Sequence, residues 1–159
     1  MISLVKLYAE RADNELILSE SLFKISSDAL LQLSQLKIEK TMTFYSAVIT
    51  HAYYCIFYSA KAVLLTKEIS TKPPEEHSKT LEQFKKHFVD SGKLDRRLLT
   101  IYNSMAIKAS GLLGLFRKEK QKRGQFTYKT IAQANIEPAE ESIANAKQFV
   151  GAIKHIIEI

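Results

Sequence analysis

Between residues 117 and 129 the chain reads RKEKQKRGQFTYK, six cations (Arg117, Lys118, Lys120, Lys122, Arg123 and Lys129) against the single anion Glu119. This stretch carries a net +5 of the chain's formal +6, so the basic character is a local patch. It runs off the end of an apolar helical pattern, where cations complement the negative end of a helix dipole. Five net charges exceed that need. They suit a phosphate-bearing partner, with Arg117, Lys118, Lys120, Lys122 and Arg123 as contacts. The plainer alternative is a solvated charge run.

The other residues able to do chemistry are sparse. Four histidines (His51, His77, His87 and His155) form no pair at HxxxH spacing, and no carboxylate cluster accompanies them, so no metal site is expected. Neither GxxxxGK[ST] nor GxGxxG occurs, and no cofactor is expected. His51 falls in line with Tyr54, Cys55 and Tyr58 on one helical pattern. It reads either as a buried histidine bonded to a neighbouring hydroxyl or as a carrier of protons. Cys55 stands alone, which excludes an internal disulfide and any cysteine-based zinc cluster.

The elements that must position these residues follow from periodicity. At 159 residues the chain suits one domain over 1–159, and only five Gly and three Pro favour long helices. Apolar positions spaced four and three apart predict a first helix through Val5, Ala9, Ala12, Leu16, Ser19 and Phe23, and a second through Phe44, Val48, His51, Cys55, Tyr58, Ala62 and Leu65. A fourth runs through Leu98, Tyr102, Met105, Ala109, Leu112 and Phe116, and a last through Ala139, Ile143, Ala146, Val150, Ile153 and Ile157. Pro73 and Pro74 break the chain after the second helix. Thr80 to Gln83 reads as a capping box for a short third helix that Gly92 closes. Gly124 suits a left-handed cap ending the fourth helix, and Pro138 the first turn of the fifth. The fold class is all-α, an up-and-down bundle of four to five helices.

The second helix also carries Ile49, Ile56 and Val63 on its other side, which predicts burial nearly all round and a homodimer that covers the surplus. No Asp, Glu, Lys or Arg lies between Lys40 and Lys61, about the length of a bilayer crossing. Four tyrosines, His51 and several hydroxyls in that span argue instead for the centre of a soluble bundle. Charges at Lys6, Glu10 and Arg11 interrupt any secretory core, so the expected compartment is the cytoplasm.

The run SAVITHAYYCIFYSAKAVLLTKEI from Ser46, a Pro-containing linker with His77 and Ser78, then FKKHFVDSGKLD from Phe84 resembles the prokaryotic HEPN domain. Tyr53, Tyr54, Phe57, Ala60, Lys61, Ala62, Leu64 and Leu65 occupy the places of its second-helix pattern, over a resemblance covering roughly 44–155. It implies a helical bundle that dimerises, found in toxin–antitoxin pairs with minimal nucleotidyltransferases and in RNA-cutting defence proteins. The signature it implies is an Arg at the end of the fourth helix and a His four to six residues on, meeting across the dimer groove near the second and fourth helices. The chemistry is metal-independent RNA cleavage, with the Arg steadying charge and the His moving the proton. Arg123 fits the Arg position, but Tyr128 stands where the His belongs. A phenol of ordinary pKa about 10 is a poor base, so cleavage needs Tyr128 with a lowered pKa or His51 in its place. Without either, the groove remains a binding site. The alternative function is a non-catalytic helical module that pairs with a nucleotidyltransferase.

Overall fold

The computed structural model describes residues 2–39, 42–113 and 135–157. Five α-helices lie among them: α1 (Ile2–Ser27), α2 (Tyr45–Leu65), α3 (Glu76–Phe84), α4 (Arg96–Leu113) and α5 (Ile136–Ile157). Wider π-type turns at Leu31–Gln35 and Lys85–Val89 follow α1 and extend α3. No strand occurs among the described residues.

α1 lies close against α2 because its buried stripe is made of small residues, Val5, Ala9, Ala12, Ser19 and Ser26. Ser19 turns that proximity into a bond, its hydroxyl donating to the Val48 carbonyl at 2.7 Å. Cross-helix pairs fix the directions. Glu15 meets His51 while Arg11 meets Tyr58, so α1 and α2 are antiparallel. Lys154 meets Asp13 while Lys147 meets Glu20, so α1 and α5 are antiparallel too. Tyr102 packs on Phe149 and Lys108 pairs with Glu141, which sets α4 against α5. The long helices therefore alternate up and down, as expected.

α2 is the centre. It touches each of the other four α-helices, and Val48, Ile49, Tyr53, Ile56, Phe57 and Leu64 are all buried. By length and composition it is apolar enough to cross a membrane, but 83% of its most apolar window is buried inside the bundle. Phe84, Phe88, Tyr102 and Phe149 close the core beside it, with ring centroids 5.2–6.1 Å apart. Burying such side chains stabilises by about 1.5–3 kcal/mol each.

Two punctuation marks differ in value. Gly92 adopts φ +76°, the left-handed turn that a side chain resists, and stops the helical run as predicted. Thr80 is not the cap of α3. The helix begins a full turn earlier at Glu76, and the Thr80 hydroxyl instead bonds the Glu76 carbonyl and the Thr71 hydroxyl, both at 2.7 Å. The short polar side chain that suggests a cap also satisfies itself by bonding backward within a helix. Phe116 and Gly124 lie outside the described residues.

Candidate functional site

Of the residues that the sequence nominates, His51 is the one among the described residues; Arg117, Lys118, Lys120, Lys122, Arg123 and Tyr128 lie outside them. His51 occupies the stripe of α2 that the other helices leave half open, with Ala47, Tyr54 and Tyr58 at helical spacing along it. Its Nδ1 sits 2.6 Å from Oε2 of Glu15 on α1, and the side chains are 29% and 23% exposed. The partner is a carboxylate rather than the neighbouring hydroxyl that the sequence suggested. A carboxylate accepts, so Nδ1 carries the proton, and in the neutral ring Nε2 keeps a lone pair. Nε2 has no partner among the described residues. The pair fixes the ring's orientation and leaves Nε2 as an acceptor on the half-open stripe.

The same seam continues toward the N-terminal end of α1. Arg11 donates to the Tyr58 hydroxyl at 2.8 Å, and its guanidinium carbon lies 4.2 Å from the centre of that ring. Tyr8 stacks on Tyr58 with centroids 6.0 Å apart and planes 22° apart. Tyr54, between the two rungs, is 6.1 Å from Tyr58 and 6.5 Å from His51. Burial, then Tyr58 and Glu15, hold the Tyr54 phenol above its ordinary pKa, so it is a neutral hydrogen-bond donor. Sequence reasoning passed over Tyr8, Arg11 and Glu15. Their signal was a second stripe at three and four spacing on the first helix, beside the apolar one.

A second polar cluster joins α2 to α3. Lys61, 8% exposed, pairs with Glu76 and donates to the Thr71 carbonyl at 3.2 Å. Tyr53 meets Nδ1 of His77 at 2.8 Å, and burial pushes the phenol far above its usual range, so Tyr53 donates and Nδ1 accepts. His77 stacks on Phe57 with centroids 4.1 Å apart, and burial holds its pKa below the ordinary value. Among the described residues no three His, Cys, Asp or Glu side chains are grouped to hold a metal ion. This cluster reads as the lock that seats α3.

A family model described as HEPN domain matches residues 19–156, a wider span than the sequence resemblance covered. The chain is 32% identical over 126 residues to "Putative toxin MJ0605" of Methanocaldococcus jannaschii, across 79% of this chain and 81% of that protein. It is 31% identical over 119 residues to a "UPF0332 protein" of Thermotoga maritima, across 75% and 76% of the two. The similarity to "Putative toxin MJ0142" of the same archaeon is 42% over 60 residues and spans only 39% of that protein's length. No solved structure matches.

Proposed function

This chain belongs to the HEPN domain family, and from that premise we propose that it is a protein of toxin–antitoxin or defence type that, as a homodimer, engages RNA or a nucleotide. The observation that carries the reading is the placing of net +5 of the chain's +6 within residues 117–129, inside the span that the family match covers. Two relatives carry the word toxin in their names, which supports the biological class. In this reading Arg117, Lys118, Lys120, Lys122 and Arg123 meet phosphates, and Tyr128 stacks on a base.

Cleavage, where it occurs, follows the family's metal-independent route. The 2′-oxygen bonds to phosphorus as the bond to the 5′-oxygen breaks, with Arg123 neutralising the charge that builds on the phosphate. The proton from the 2′-hydroxyl goes to Nε2 of His51, or to a Tyr128 phenolate, and returns to the departing 5′-oxygen. The second reading, an interaction module that docks a minimal nucleotidyltransferase, is favoured by Tyr128 standing in the place of the family's His. Incubating purified protein with total RNA, with and without Arg123→Ala, separates the two. Cleavage that the variant loses supports the nuclease. Retained RNA binding without cleavage leaves the groove as a binding site, and neither activity favours the module.

A further inference from the structure

We propose that the α1–α2 seam holds a second contact for nucleic acid, a shelf on which Arg11, Tyr54 and Tyr58 take one unstacked nucleobase and its phosphate. It rests on the reading that the chain engages RNA or a nucleotide, but not on the 117–129 segment. Tyr8, Arg11 and Glu15 precede residue 19, where the family match begins.

Arg11 is the first observation. Among the described residues four other cations that reach across from one helix to another are neutralised: Lys61 by Glu76, Lys108 by Glu141, Lys147 by Glu20 and Lys154 by Asp13. Arg11 is exposed and has no carboxylate within 4.0 Å among the described residues. Its guanidinium carbon lies 4.2 Å over the centre of the Tyr58 ring and one of its N–H groups donates to that residue's hydroxyl, so the group is held on the ring with further N–H groups to offer a ligand. A planar base extends such a stack, and a phosphate takes the free N–H groups.

The rings supply the rest. Tyr8 and Tyr54 lie within 22° and 23° of parallel to Tyr58, with centroids 6.0 and 6.1 Å from it, so the seam carries a run of near-parallel rings. The Tyr8 and Tyr54 hydroxyls form no hydrogen bond among the described residues, although both side chains are partly exposed. Charge sets the direction of the ligand. The phosphate belongs at Arg11, and the base lies toward Glu15 and His51, where a carboxylate repels phosphate but attracts an amino group. Nε2 of His51 also accepts from the base's amino group, so the shelf favours an amino-bearing purine over uracil.

The chain has seven Tyr and no Trp, so tyrosine fluorescence reports binding and the variants assign it to the shelf. Wild type, Arg11→Gln and Tyr54→Leu are titrated with adenosine monophosphate, uridine monophosphate and single-stranded oligoadenylate RNA. We expect quenching by the adenine ligands, weaker binding of the uridine nucleotide, and about tenfold lost affinity in each variant. Arg11 is exposed, so Arg11→Gln keeps the fold despite losing its contact to Tyr58 and remains decisive if Tyr54→Leu destabilises. Loss toward both adenine ligands means a free nucleotide suffices; loss toward the oligonucleotide alone means the ligand is a strand. A Lys120, Lys122 and Arg123 triple alanine variant should lose oligoadenylate affinity and keep the response to the mononucleotide. If it instead binds oligoadenylate as wild type does, the segment reading fails while the shelf stands. Equal affinity of wild type and Arg11→Gln for every ligand, or no binding by wild type, overturns the shelf.

Discussion

Tyr53 on α2 and Tyr102 on α4 face each other with ring centroids 6.4 Å apart, and each buries its side chain completely. Tyr53 donates its hydroxyl to His77, whereas the Tyr102 hydroxyl has no hydrogen-bond partner among the described residues. The same substitution should therefore have opposite signs. Tyr53→Phe removes a made hydrogen bond and should lower stability by about 1 kcal/mol, while Tyr102→Phe relieves an unmade one and should raise it by about 1 kcal/mol, both measured by urea unfolding. His77 adds a pH dependence. Its folded-state pKa is lowered by burial, so the unfolded chain binds the proton more readily. That contribution is fully present above about pH 6.5, the unfolded value, and is lost as pH falls toward the folded one. Wild type should lose more stability between pH 7 and 5 than His77→Gln, and identical slopes would refute this. Burial also pushes the Cys55 thiol up to about 12, so it should resist thiol reagents at pH 8 until the protein unfolds.

At the scale of elements, α3 is the short helix held by few groups, and the Lys61–Glu76 pair is the strongest of them. Glu76→Ala would leave a nearly buried ammonium with the Thr71 carbonyl as its remaining partner. We expect a loss of about 2–3 kcal/mol, because removing one partner strands the other. Hydrogen exchange should show α3 opening before α2, and uniform exchange across both helices would count against the lock. The long helices were legible in the sequence because their apolar seams repeat at three and four, from Val5 to Ile153. The start of α3 was not, since a threonine followed by polar residues serves a cap and a helix interior equally well. Nor was the seam site. Glu15 and Arg11 look like ordinary exposed helix residues until the antiparallel crossing sets His51 and Tyr58 opposite them. The histidine was legible as a candidate, but its partner depends on contacts between positions 36 residues apart.

For the molecule as a whole, the expected homodimer needs a different warrant from the one periodicity offered. The second helix was to have apolar surface left over, yet α2 packs against the other four described α-helices, and the stripe they leave half open is that of His51, Tyr54 and Tyr58. Apolar side chains left exposed include Ile107 on α4, at 54%, and Ile136 at the start of α5, at 44%. If the dimer forms there, light scattering should give twice 18.1 kDa for wild type and a monomer for Ile107→Lys. A wild-type monomer at micromolar concentration would remove the dimer. Binding of single-stranded RNA should weaken with salt, and the Lys120, Lys122 and Arg123 triple alanine variant should reduce that dependence by about two units of logarithmic slope. An unchanged slope would place the phosphate contacts elsewhere.

The central position of α2 has a consequence for how the protein is made. Synthesis delivers α1 and α2 first, but α5, which contributes Ala146, Phe149 and Ile153 to the core, comes last. Until α5 has emerged from the ribosome, one side of α2 has nothing to pack against and is exposed to aggregation or to chaperones. A nascent or truncated chain lacking α5 should therefore be caught by quality control instead of accumulating as a partly folded protein.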